Sequence, residues 1–222
     1  MNNTNPYPIV PAIIPDSAEA VQAAAQTLRF AREFHLDLID GQFVPTVSWP
    51  YAPAGEPAAV AAPLAAYTLE VDLMVADPLP AATAWVEAGA DMLVFHVETV
   101  ALADLKTFVA AHAVTIGVSA HGDTPLETLV SYAAEVDYVQ LMGIREIGAQ
   151  GQPFDERVLT WIAALRTACP GKLISVDGSV NESTIGRLRD AGAERFVCGS
   201  AIVGQPDPQA AYAQLQEALA NR

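Results

Sequence analysis

His35-Leu36-Asp37-Leu38-Ile39-Asp40-Gly41, continued by Gln42-Phe43-Val44-Pro45, is the stretch that organises this chain. Apolar and polar residues alternate as far as Gly41, and a period of two is that of a β-strand. His35, Asp37 and Ile39 therefore share one face, and Leu36 and Leu38 share the other. A histidine and a carboxylate two residues apart on one face can grip a single metal ion. The glycine and proline that follow end the strand, which sets the pair near its C-terminal end.

Working outward, Pro8 to Ile14 is an apolar run suited to a buried first strand. Ser17 is placed to cap a helix reading EAVQAAAQTLRFAREF, and the second strand follows at 35–40. Residues 45–66 are rich in Pro and Ala, which predicts loops and at most a short helix. Further strands are expected at 68–75, 92–97, 114–120, 136–142, 173–177 and 196–199. Between them the pattern predicts helices from Pro78 to Ala88, over 101–112, from Thr124-Pro125, and over 154–168. Another opens at Asn181 or Ser183 and stops at Gly192, and the last runs from Pro206–Pro208 to the end. Proline at a first helical position suits the third of these starts. Eight strands, each followed by a helix or loop, predict a (β/α)8 TIM barrel, an α/β fold formed by residues 1–222 as one domain. Its chemistry would lie at the C-terminal ends of the strands. An open doubly wound sheet is the main competitor, but no GxGxxG turn follows the first strand.

The formal net charge of -15 argues against nucleic acid and anionic membrane surfaces as partners, because both require basic patches. It also denies an anionic substrate long-range steering, so a phosphate site must be built locally. Cys169 and Cys198 lie far apart without a CxxC motif, the pattern of reduced cytosolic cysteine. No apolar run approaches the length of a transmembrane helix. Met1–Asn5 lacks the charged and apolar regions of a signal peptide, and the expected compartment is the cytoplasm. The only lysines are Lys106, on a helix, and Lys172, at the start of the seventh strand. A Schiff-base aldolase or lysine-dependent decarboxylase on this scaffold would lack its key residue.

Polar residues at strand ends are the candidates for chemistry. They are His35, Asp37, Asp72, His96, Glu98, Ser119, His121 and Asp177. A buried carboxylate in a Val/Leu/Ile strand is costly without a partner, and three of them with one histidine suggest a shared metal ion. His96 reads better as a hydrogen-bonded core residue and His112 as a plain helical one, while His121 fits either role. Asp37, Asp40 and Asp177 are less easily read as lone caps, because several acids converge on one rim. Gly178-Ser179 after the seventh strand and Gly199-Ser200 after the eighth let backbone N–H groups approach an anion. Barrel enzymes often bind phosphate there.

These residues together resemble the ribulose-phosphate 3-epimerase family over nearly the whole chain. The resemblance rests on His35 to Pro45, Asp72-Leu73-Met74-Val75, Gly89-Ala90-Asp91 with Phe95 to Glu98, Thr124-Pro125, Val176-Asp177-Gly178, and Gly199 to Ile202. It implies a ketose-phosphate epimerase in which Asp37 and Asp177 move a proton on opposite faces of the carbon beside a ketone. A divalent metal would stabilise the enediolate. It implies His35, Asp37 and Asp177 as metal ligands, with Asp72 at the place of a further histidine. It puts the substrate phosphate on Gly178, Ser179, Gly199 and Ser200, and has Met74 and Met142 line the pocket. The implied partner is a small sugar phosphate, and the expected assembly is a homo-oligomer.

Four departures carry physical consequences. Asp72 replaces an imidazole, which makes the donor set harder and more anionic. One divalent ion, Zn, Mn or Fe, is expected, with preference shifted away from zinc. Ala12 stands where a serine hydroxyl is usual, and Ile39 where a methionine is. The loop after the sixth strand reads Arg145 to Gln152, and its Arg145 is a candidate contact for phosphate or carboxylate. Two readings stay open: an epimerase of a phosphorylated ketose, with ribulose 5-phosphate and xylulose 5-phosphate as the default pair, and a sugar-phosphate-binding homologue impaired in catalysis.

Overall fold

The computed structural model describes residues 8–221; the expected lack of a signal segment in Met1–Asn5 lies outside the described residues. Strand and helix alternate through β1 (Ile9–Ile13), α1 (Ala18–Thr27), β2 (Glu33–Ile39), α2 (Ala58–Leu64), β3 (Thr68–Met74), α3 (Pro78–Glu87), β4 (Met92–His96) and α4 (Leu102–Ala111). They continue through β5 (Thr115–Ser119), α5 (Leu126–Ala133), β6 (Tyr138–Met142), α6 (Arg157–Ala168), β7 (Leu173–Asp177), α7 (Ile185–Ala191), β8 (Arg195–Cys198) and α8 (Pro208–Ala220). All eight strands are parallel and close in chain order, with Ile9 to Pro11 of β1 paired to Phe196 to Cys198 of β8. This is the (β/α)8 barrel that the alternation predicts.

The element boundaries differ from the predicted ones where tertiary pairing overrides local pattern. The first helix is predicted through Phe34 but ends at Thr27. Glu33 and Phe34 instead enter the β2–β3 ladder opposite Thr68 and Leu69, and the Phe34 ring meets Tyr67 edge-on at 5.4 Å. The predicted start at Ser17 holds: its hydroxyl accepts from the Ala20 N–H at 3.1 Å. Pro125 is the residue before α5 rather than its first helical one, with extended ψ of 137°. The sixth helix starts at Arg157, three residues later than predicted.

The hydrophobic core surrounds the barrel and does not fill it. Outward strand residues such as Leu36, Leu38, Leu73, Phe95, Leu141 and Val176 belong to one buried cluster with Val21, Trp85, Leu105, Ile162, Leu188 and Leu215 of the helices. This is why the strands read as nearly continuous apolar runs. Their inward positions are mixed: small apolar clusters of Val10, Ala12 and Val197 and of Ile39, Met74 and Met142 sit beside a set of buried polar residues. Glu70 of β3 is fully buried, bonded to Tyr138 of β6, Arg195 of β8 and His35 of β2. Gly117 on β5 makes room for this arrangement, because a Cβ there would lie within 2.7 Å of atoms of the buried Tyr138 ring. Gly117→Ala is expected to cost about 1–3 kcal/mol by overpacking. A thermal melt would show it, and an unchanged midpoint would refute the account.

Candidate active site

Parallel register sets the site. Ala12 pairs with His35, His35 with Glu70, Asp37 with Asp72, and Met142 with Asp177. Inward residues of β2, β3 and β7 thus face one another near the C-terminal mouth. There His35, Asp37, Asp72 and Asp177 each present a ligand atom, all within 4.8 Å of one another. His35 Nε2 is 3.1 Å from Asp37 Oδ1 and 4.0 Å from Asp72 Oδ2. Asp72 is pinned through both oxygens: His96 Nε2 lies 2.9 Å from Oδ1, and Gln140 Nε2 donates to Oδ2 at 2.8 Å. A carboxylate has about four acceptor positions, so each oxygen keeps one for a further partner.

The electrostatics follow from three acids in one buried place. Burial, and then the nearby Asp37 charge, push the Asp177 carboxyl up to about 8. Burial raises Asp37 as well, with the His35 hydrogen bond pulling it back down. Burial alone would lower His35, but Glu70 and Asp37 outweigh it and hold the imidazole well above its ordinary value. For Glu70 the order is reversed. Burial would raise it, yet Arg195 and His35 hold it well below the carboxylate range. Three carboxylates and one imidazole at this spacing fit a divalent cation, whose charge would offset the burial and the repulsion that raise Asp177.

Above the cluster lies a cavity of about 440 Å³, lined by Asp37, Asp177, Ala12, Met74 and Met142. Gly178, Ser179, Gly199 and Ser200 line the same cavity. Gly178 and Ser179 both adopt positive φ, 91° and 52°. For Ser179 that conformation is uncommon; its hydroxyl donates to the Gln152 carbonyl, and its own carbonyl accepts from Thr184 Oγ1 at 2.7 Å. Among the described residues, no lysine or arginine lines the cavity. Gln150, Gln152, Asn181 and Gln205 supply its polar side-chain rim.

A family model described as the ribulose-phosphate 3 epimerase family matches residues 9–203. The chain belongs to the ribulose-phosphate 3 epimerase family. Ribulose-phosphate 3-epimerase of Mycobacterium tuberculosis is 32% identical over 215 residues, covering 94% of this chain and 91% of that one. The Bacillus subtilis protein of the same name is 32% identical over 190 residues, covering 82% and 84%. Among solved structures, a 3-hexulose-6-phosphate synthase superposes with a TM-score of 0.70 at 25% identity, over 96% of this chain and 99% of that one. Family membership makes this chain an isomerase-class barrel of the carbohydrate epimerases.

Several strand-end residues fall outside the epimerase-family cavity. Asp40, read as one of the converging acids, is a brace: Oδ1 accepts from the Gln42 and Phe43 N–H groups and Oδ2 from Ala76 N–H at 2.8 Å. His96 is the buried, hydrogen-bonded core residue expected, bound to Asp72. Glu98 accepts from His121 N–H at 2.8 Å and from the Thr124 hydroxyl, tying one loop. Arg145, the candidate anion contact, is instead paired with Asp123 at 2.8 Å, exposed, and away from the cavity lining. Lys172 donates to the Val136 carbonyl, and Lys106 pairs with Glu135 at 3.0 Å. Among the described residues, no helix is long and apolar enough to cross a membrane.

Sequence reasoning passed over Glu70, Tyr138, Gln140 and Arg195. For Glu70 a signal was present, since it stands two residues before Asp72 and so on the same strand face. Tyr138 and Gln140 alternate in the same way with Met142. Arg195 opens its strand, where nothing local separates an inward from an outward residue.

Proposed function

We propose that this chain epimerises a phosphorylated ketose at the carbon beside its ketone, with D-ribulose 5-phosphate and D-xylulose 5-phosphate as the pair. The observation that carries the reading is that Asp37 and Asp177, from β2 and β7, open into one cavity beside His35 and Asp72. In one direction of the reaction Asp37 starts ionised, with His35 Nε2 3.1 Å from its Oδ1, and Asp177 starts protonated. Asp37 then takes a proton from carbon 3 on one face and Asp177 returns one on the other. In the reverse direction the roles exchange.

His35, Asp37, Asp72 and Asp177 would hold one divalent ion, which when bound supplies positive charge for the enediolate oxygens. The hard donor set favours Mn²⁺ or Fe²⁺ over Zn²⁺. The backbone and side chains of Gly178, Ser179, Gly199 and Ser200 hold the phosphate without a cationic side chain. The thioethers of Met74 and Met142 pack against the substrate and exclude water. The protein supplied with Mn²⁺, Fe²⁺ or Zn²⁺ in deuterium oxide is expected to exchange the C3 proton of ribulose 5-phosphate and to form xylulose 5-phosphate, followed by proton NMR. No exchange with any pentulose or hexulose phosphate would favour the sugar-phosphate-binding reading, in which Ala12 and Asp72 mark a disabled site.

A further inference from the structure

Glu70 lies below the cavity, outside the group of residues that can reach substrate, and its place in the barrel needs a reason. It is fully buried, and its oxygens are 2.8 and 3.0 Å from Arg195 Nη1. Arg195 is itself 2% exposed and is further held by Glu33 at 2.9 Å and Ser175 at 3.3 Å. An acid paired with a guanidinium is an acceptor only. The Tyr138 hydroxyl donates to it, and the remaining contact is His35 Nδ1.

A neutral imidazole carries one N–H, and the partner of one nitrogen decides the state of the other. Metal ligation requires the neutral ring, and for that form His35 has two competing acceptors. Glu70 stands at Nδ1, and Asp37 Oδ1 stands 3.1 Å from Nε2. If Asp37 won the proton, Nε2 would lose the lone pair that faces Asp37 and Asp72. We propose that Glu70 is a positioning residue that draws the His35 proton to Nδ1 and leaves Nε2 as the ligand atom, with Arg195 keeping Glu70 an acceptor. The inference rests on the metal-centre reading above and names the residue beneath it that makes the histidine competent.

The test compares wild type, Glu70→Gln and Glu70→Asp for Mn²⁺ affinity, by electron paramagnetic resonance of free ion, with folding checked by circular dichroism. Glu70→Gln replaces the anion by an amide that can donate as well as accept. It is expected to weaken Mn²⁺ binding about 10–100-fold, the range for loss of an outer hydrogen-bond partner of a metal-ligating histidine. Glu70→Asp keeps the charge and is expected to recover part of the loss. A residue serving the fold alone would lower the melting point and leave affinity unchanged, and that result overturns the proposal. Wild-type protein labelled with ¹⁵N-histidine and loaded with Zn²⁺ gives a reading that needs no variant. The proton is expected on Nδ1 of His35, shielded from exchange, and a proton on Nε2 would overturn the proposal. Wild type that binds neither Mn²⁺ nor Zn²⁺ removes the metal-centre reading and this inference together. Tight wild-type binding with an equally tight Glu70→Gln removes only the inference.

Discussion

Asp37→Asn and Asp177→Asn are each expected to lower the turnover of ribulose 5-phosphate by about 10²–10⁴-fold, the usual contribution of a positioned proton-transfer group. Asparagine keeps the shape and removes the basic oxygen, so the loss reports chemistry rather than packing. Both positions also belong to the four-residue cluster, and the metal content of each variant must be measured beside its rate. Isotope exchange separates the two causes. An enzyme with one base left can still remove the proton that faces it, and so washes deuterium into one epimer without inverting it. Loss of metal alone would abolish exchange from both epimers equally. Turnover within tenfold of wild type for either variant would remove that aspartate from the mechanism.

The stability of the metal-free protein is expected to fall as pH rises from about 5 to 8, and Mn²⁺ is expected to reverse most of the fall. Asp177 ordinarily titrates at 3.8 and is pushed up to about 8 in the fold, chiefly by burial. The unfolded chain therefore releases this proton from about pH 4 upward while the folded chain retains it. Its stabilising contribution is complete below the ordinary value and is lost as pH climbs through 8. His35 acts in the same direction, because its folded value lies above 6.5. Glu70 acts oppositely, but only in acid: its lowered value gives stability above 4.5 that disappears as pH drops further.

A cation bound among the carboxylates removes the cost of ionising Asp177. Free Mn²⁺ at a hundredfold excess over Kd adds about 2.7 kcal/mol. For a chain of 222 residues that is a rise in Tm of about 5–10 °C. The rise should be larger at pH 8 than at pH 5.5. Melting curves at the two pH values, with chelator or with Mn²⁺, measure it. A metal-free Tm that is flat or climbs over this range would show that the acids are not forced together as the geometry has them.

Much of this was legible in the chain because it depends on local periodicity. The alternation around His35 and Asp37 assigned a strand, a face and an end, and the succession of such runs with Ala-rich segments assigned a barrel. Asp177 could be placed beside them because it ends its own apolar run, and Asp72 because it interrupts one. Ser17 could be named as a cap from its position alone. The roles that resisted reading belong to residues whose partners are distant. Asp40 follows the same strand as Asp37 but with the opposite parity, and it became a brace on the Ala76 backbone, 36 positions away. Arg145 sits in a loop rich in small residues, and only the fold shows that Asp123, rather than the cavity, receives it.

The sequence by itself therefore determined the fold class, the strand faces and the four acid and imidazole side chains at the barrel mouth, since hydrophobic period and strand ends are encoded within a few neighbouring residues. Only the tertiary structure decided how they are held. His35 meets Glu70 at a separation of 35 positions, Tyr138 reaches it across 68 and Arg195 across 125. No local pattern encodes such distances. They arise when a closed parallel barrel brings the inward faces of β2, β3, β6 and β8 together, where a buried charge persists only by finding its partners.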